Sequence, residues 1–231
     1  MNTIDIIKKI VTQDEYITGI YIHSFPNAPG LEKKIKFTDV ESTHYKAALK
    51  LRDKSHVPFW DALMLSFYNK SEFSDRILEN VLNSHAKRDK QLISREDVLN
   101  GSVLEKLQNG SANFAINSQI QTKDGKQRHL LLLDFHIPEN ENNQVIVEKV
   151  LELLKLKKGY LLKSGRSYHF IGIEAISTYK LISLISKGLF FTPIIDKSWI
   201  AHQLIDKSCS IRFTKKRKVL PTLIKVVKNK I

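Results

Sequence analysis

The stretch Lys158–His169 constrains this chain more than any other. Two apolar runs that read as β-strands, Lys158-Gly159-Tyr160-Leu161-Leu162-Lys163 and Tyr168 to Ile173, are separated by only Ser164-Gly165-Arg166-Ser167. A connection that short demands a turn, and Gly165 provides the backbone freedom for it. The same turn brings chemistry with it. Arg166 offers a rigid fork of donors suited to an anion, and His169 can donate to one or accept from one. The bland reading is an ordinary turn followed by a structural histidine. Short motifs match by chance too often to decide between the two without the rest of the chain.

The second informative run is Leu130-Leu131-Leu132-Leu133-Asp134-Phe135-His136. Four consecutive leucines imply a buried strand, and Asp134 and His136 mark where it emerges. Alternation along a strand puts these two side chains on the same face. A carboxylate beside an imidazole can hold a divalent cation, and manganese or zinc suits the imidazole better than magnesium. The bland alternative is an aspartate that ends a strand, followed by a solvent-facing histidine.

Around these runs the pattern predicts further elements. Residues 3–13 read as a helix capped by Asn2 or Thr3, with Ile4, Ile6, Ile7, Ile10 and Val11 on its apolar side. Ile17–His23 reads as a strand and Pro26–Gly30 as a turn. From Glu41 to Arg88 the pattern is helical, with Ser42 or Thr43 capping Tyr45–Arg52, Pro58 opening Trp60–Phe67, and Ser71 capping Phe73–Ala86. Ser94-Arg95-Glu96-Asp97 suggests one more helix start. Beyond Gly110 come strands at Asn113–Gln121 and Gln127–Phe135, joined by the turn Lys123-Asp124-Gly125-Lys126. Helices at 145–156, 178–187 and 198–205 and a strand at 208–214 complete the pattern. The expected fold class is α+β: a core over residues 111–231 with a mixed or antiparallel sheet flanked by helices, preceded by a mainly helical region 1–110 with one early strand.

Charge narrows the class of partner. The 231 residues carry a formal net charge of +13, and nine basic residues with no acid among them follow Asp206. Lys215, Lys216, Arg217 and Lys218 are the densest part of that set. Such a field favours a polyanion, most commonly a phosphate backbone; a solvated basic tail is the alternative. The single cysteine, Cys209, excludes an internal disulfide framework and sits in an apolar run that predicts a buried thiol. No apolar run reaches membrane-spanning length, and the N-terminus lacks the basic start and apolar core of a signal peptide. A cytoplasmic protein without a membrane partner is the expectation. Trp60, with Phe59, Leu63 and Phe67 at helical spacing, reads as core rather than as a base-stacking platform, and Trp199 with His202 reads the same way.

In order and spacing these segments resemble the archaeo-eukaryotic primase superfamily. Leu130–His136 occupies the place of that family's first motif, an apolar strand ending in Asp-x-Asp or Asp-x-Glu. Ser164–His169 matches the second, Ser-Gly-Arg-Gly-x-His, with Ser167 in place of the second glycine. Ser210-Ile211-Arg212-Phe213 resembles the arginine-bearing third strand, with Asp196 or Asp206 as the acid before it. The segment Asp196–His202 followed by Arg212 looks most like the divergent bacterial primase 1D-like branch. The resemblance covers residues 113–221. It implies Asp134 as a metal ligand, with Asp196 or Asp206 completing the acidic set, and Ser164, Arg166, His169 and Arg212 around a nucleoside triphosphate. It implies magnesium or manganese as cofactor and DNA or RNA as partner; the charge at Lys215–Lys218 independently suits the same nucleic-acid partner.

His136 departs from the pattern, because it stands where the family has a second carboxylate. Losing that charge weakens a site meant for two dications, magnesium most, so manganese is favoured if His136 is a ligand. Two functions follow from the resemblance. One is a template-directed nucleotidyltransferase. The other is a catalytically degenerate module that binds nucleic acid or nucleotide within a larger assembly, such as a phage-defence or mobile-element system. A phosphate-dependent α+β enzyme unrelated to primases is the third alternative.

Overall fold

A computed structural model describes residues 1–25, 36–55, 57–68, 74–83, 89–215 and 219–228. The chain forms two compact units, Met1–Pro26 with Arg88–Ile231, and Asn27–Lys87. The larger unit opens with α1 (Thr3–Gln13) and β1 (Ile17–Phe25). The smaller holds α2 (Asp39–Ser55), α3 (Phe59–Ser66) and α4 (Asp75–Asn83). The larger unit then resumes with β2 (Gln91–Ser94), α5 (Arg95–Asn100) and α6 (Ser102–Asn109). It continues through β3 (Asn113–Thr122), β4 (Arg128–Asp134), α7 (Glu141–Leu153), β5 (Lys158–Ser164) and β6 (Ser167–Ser177). It ends with α8 (Thr178–Gly188), α9 (Lys197–Asp206), β7 (Ser210–Arg212) and β8 (Thr222–Lys228).

The fold is α+β, built on one antiparallel eight-stranded sheet in the order β2-β1-β3-β4-β6-β5-β8, with β7 pairing β3. β1 pairs with β3 along most of its length, from Ile17 opposite Thr122 to Phe25 opposite Asn113. That pairing puts the first strand inside the same sheet as the C-terminal half. β4 lies near the middle of the sheet. Leu130, Leu131, Leu132 and Leu133 are all at most 4% exposed, so both faces of this strand are covered. This is why the sequence reads as a continuous apolar run rather than an alternating one.

Local chemistry sets the helix starts. Asn2 Oδ1 accepts from the backbone N–H groups of Ile4 and Asp5 at 2.8 and 3.2 Å, and the Asp5 carboxylate accepts in turn from Asn2 N–H. That reciprocal box leaves Ile4, Ile6, Ile7, Ile10 and Val11 to fill the core. Ser94 caps α5 by accepting from Asp97 N–H, as its sequence suggests. α2 starts earlier than expected. Thr38, not Ser42 or Thr43, makes the capping bond to Glu41, which in turn accepts from Thr38 N–H at 2.8 Å. Ser74 bonds the N–H of Ile77 at the start of α4. Ser71 and the Pro26–Gly30 turn lie outside the described residues. α7 begins at Glu141 behind an Asn140 cap, four residues before the predicted start. β8 has no counterpart in the sequence pattern, because Lys225 and Lys228 interrupt its apolar residues on an edge strand and the segment reads as a basic tail.

The smaller unit has its own core, in which Ala48, Ala62, Leu63 and Ile77 are buried and Trp60 packs against them. Glu41 anchors it. Burial pushes its carboxyl upward, but bonds from Ser74, Thr38 and Arg76 outweigh this and hold it down at about 2. Charge-assisted bonds of this kind contribute about 1.5–3 kcal/mol. Glu41→Gln should destabilise this unit by that order. Urea titration of a Trp199→Phe background, where Trp60 is the remaining tryptophan of the two, measures it.

Candidate functional site

β4 runs antiparallel to β6, and β6 to β5, so the end of β4 meets the hairpin that joins the other two. Asp134 lies directly opposite His169, with His169 Nε2 3.4 Å from Asp134 Oδ1. Beyond β4, Phe135 forms an isolated antiparallel bridge with Ile195, and His136 N–H donates to Ile194 O at 2.8 Å. The register of that bridge sets Asp196 across from Asp134. Directly opposed residues in antiparallel pairing share a face. His136, two residues on from Asp134, faces Asp196 with Nδ1 to Oδ2 at 3.7 Å.

The fourth element is β7, and the sheet makes room for it. β3 pairs with β4 only through Gln119 and Ile120; toward the site, its Ala115–Asn117 segment pairs with β7 instead. β3 and β4 therefore splay apart, and β7 fills the gap with Arg212 at its end. Arg212 donates to Ser164 Oγ at 3.1 Å and to the carbonyl of Thr214. Burial lowers its pKa from the ordinary value, opposed by the nearby Asp134 carboxylate. Ser164, Arg212, Asp134 and His169 thus form one cluster, with His136 and Asp196 beside it.

The remaining predicted residues fall elsewhere. Arg166 is exposed at the tip of the hairpin, and its carbonyl accepts from Glu139 N–H at 2.9 Å. Gly165 takes φ +72° there, a left-handed conformation that side chains resist. Asp206 ends α9, ten residues from Asp196, or about 15 Å along a helix. Its charge acts on Lys90, at the opposite end from the cluster. Of the two candidate acids, only Asp196 stands across from Asp134. Lys215 is exposed; Lys216, Arg217 and Lys218 lie outside the described residues.

Two contributors are not legible in the sequence. Tyr168, fully buried, accepts from Asn140 N–H and donates to Asn140 O, at 2.9 and 2.7 Å. Lys163 Nζ bonds Glu139 at 2.6 Å. Together they clamp the segment after β4 onto the hairpin. Tyr168 lies inside the hexapeptide, but nothing in its spacing signals a distant partner. Cys209 is buried, and burial pushes its thiol well up, away from nucleophilic use. Trp199 packs against the main core and donates to Ser210 O at 3.1 Å.

The donor set has a definite limit. Among the described residues, no three His, Cys, Asp or Glu side chains come close enough together to hold one cation. The carboxylates are instead engaged in two imidazole pairs, and Asp196 also caps α9 through the N–H groups of Ser198 and Trp199. This arrangement does not fit a two-dication site, which needs several carboxylates around ions ~4 Å apart. What it offers is an arginine and two imidazoles beside two carboxylates, at the open end of a sheet. A groove of about 560 Å³ lies at the other end of the same strands, lined in part by Tyr16, Arg128, Lys158 and Glu174, away from this cluster. Among the described residues, no helix is long and apolar enough to cross a membrane.

No curated protein and no solved structure matches the chain. The family model described as archaeo-eukaryotic primase 1D-like matches residues 93–225, more than half of the sequence. That span holds the β4 end, the β5–β6 hairpin and β7, the three elements that build the cluster. The chain belongs to the archaeo-eukaryotic primase 1D-like family.

Proposed function

We propose that this chain is a primase-like module that binds the phosphates of a nucleotide or of nucleic acid at the end of its sheet. The observation that carries this reading is the convergence of Arg212, His169 and Ser164 on one cluster. Arg166 on the hairpin tip adds exposed positive charge, and the sequence carries a basic run at Lys215–Lys218 that suits a polyanion. Membership of the family supports the same class of ligand. A salt titration with a fluorescent single-stranded oligonucleotide tests it. Affinity should fall steeply from low to moderate salt. Reversing the charges at Lys215–Lys218 should flatten the slope by about 0.7 for each phosphate that is no longer neutralised. Salt-independent binding, or none, would count against the reading.

One observation favours a second reading, template-directed nucleotidyl transfer: Asp196 stands across from Asp134, which supplies two carboxylates at one corner. A cation there would have to displace the His136–Asp196 pair, and manganese suits such a mixed nitrogen and oxygen set better than magnesium. Incorporation of labelled nucleotide on primed or unprimed templates with manganese, abolished in Asp134→Ala, would support transfer. No incorporation with either metal would leave binding as the function. Action within a larger assembly such as a defence or mobile-element system belongs to the binding reading.

A further inference from the structure

The turn that follows α8 presents an aromatic ring with no place in the core. Phe190 is 88% exposed, the most exposed large apolar side chain among the described residues. Its backbone is nonetheless held. It sits in the 3-10 turn Leu189–Phe191, whose last residue, Phe191, packs against the main core. Thr192 bonds Leu189 O through both its N–H and its hydroxyl, and Ile195 N–H donates to Phe191 O at 3.2 Å.

That turn is tied to the site. β6 leads away from Asp134, and α8 begins where β6 ends and returns along the sheet, so its C-terminal end arrives back at the cluster. Ile194 and Ile195 then pair with His136 and Phe135. Phe190 is one residue from Phe191, which is bonded to Ile195, itself one residue from Asp196. At 3.8 Å per Cα step, the Phe190 and Asp196 Cα atoms are at most about 14 Å apart. This is within the span of one or two nucleotides. Lys187 and Lys197 flank the ring in sequence, on the ends of α8 and α9.

We propose that Phe190 is a stacking platform for a nucleobase of the ligand whose phosphates bind at Arg212 and His169. The proposal rests on the phosphate-binding reading above. Single-strand and nucleotide sites combine a cationic track with exposed aromatic faces, because every base has a π-face and stacking tolerates any sequence. A hydrogen-bonded turn carrying a solvated ring, within about 14 Å (Cα to Cα) of Asp196 at the edge of the Arg212-bearing cluster, supplies both parts. The ring itself does nothing for phosphate alone.

The test uses the full chain and three probes: a nucleoside triphosphate, a single-stranded oligonucleotide of mixed sequence, and inorganic tripolyphosphate. Phe190→Ala should weaken binding of a base-bearing probe about 10-fold or more, leave tripolyphosphate within about two-fold, and leave the thermal midpoint unchanged. Phe190→Trp should restore binding. Loss confined to the triphosphate assigns the base of a free nucleotide; loss confined to the oligonucleotide assigns a base of a strand. If the wild type binds and Phe190→Ala binds equally well, or loses tripolyphosphate equally, the stacking role is overturned. It is also overturned if the wild type sediments as a dimer and the variant as a monomer. If the wild type binds none of the three probes, the phosphate-binding reading itself falls.

Discussion

Arg212→Ala should weaken binding of a nucleoside triphosphate by about 10- to 150-fold, the equivalent of about 1.5–3 kcal/mol for charge-assisted hydrogen bonds to an anion. Arg212 is the central cation of the cluster. It reaches the site only because β3 and β4 splay and admit β7, and its bond to Ser164 sets the direction of the guanidinium. Half-burial raises the strength of each bond it makes, since water competes less for the same donors. Arg212→Lys keeps the charge but not the planar fork, so it should recover only part of the loss. Calorimetric titration at fixed salt measures this, with circular dichroism to confirm that each variant is folded. An affinity within two-fold of wild type for Arg212→Ala would remove the cluster from the binding site.

Mild acid should destabilise the larger unit through His129. Its ring is fully buried between two hydroxyls, with Nδ1 3.0 Å from Ser118 Oγ and Nε2 3.0 Å from Thr178 Oγ1. A neutral imidazole has one donor and one acceptor, and two hydroxyls satisfy both. Burial, with Lys90 adding to it, lowers the pKa to about 4. An exposed histidine in the unfolded chain titrates near 6.5. Between those values the unfolded chain takes a proton that the folded chain refuses, so stability is complete above about pH 6.5 and falls as pH drops toward 4. Each pH unit in that window removes about 1.4 kcal/mol, or about 2 kcal/mol at pH 5. Glu41, held low, loses its own contribution only below about pH 4.5. Urea midpoints at pH 7 and pH 5 measure the slope, and His129→Gln should flatten it. Equal slopes for the two proteins would show that the ring is not the titrating group.

Much of the fold is legible in the sequence because its signals are local. The Ile4–Val11 spacing, the Asn2 and Ser94 caps, the four leucines of β4 and the Gly165 turn each report on a few neighbouring residues. What is not legible depends on pairing at a distance. The sequence shows Asp196 and Asp206 as equal candidates; only the bridge between Phe135 and Ile195 separates them, by setting one across from Asp134 and leaving the other a helix length away. Asp134 and His136 do share the expected neighbourhood, yet each is engaged with a different partner, His169 and Asp196. β8 is hidden because an edge strand with lysines on it has the composition of a tail. The inclusion of β1 in the sheet is likewise a matter of register with β3, some 90 residues later.

The central claim is that the end of the sheet around Asp134, His169 and Arg212 is where phosphate is held. A crystal structure of the full chain with a non-hydrolysable nucleoside triphosphate and manganese tests it most directly. The expected result is phosphate oxygens within hydrogen-bond distance of Arg212 and His169. A triphosphate seated instead at the other end of the strands, against Arg128 and Lys158, would contradict it.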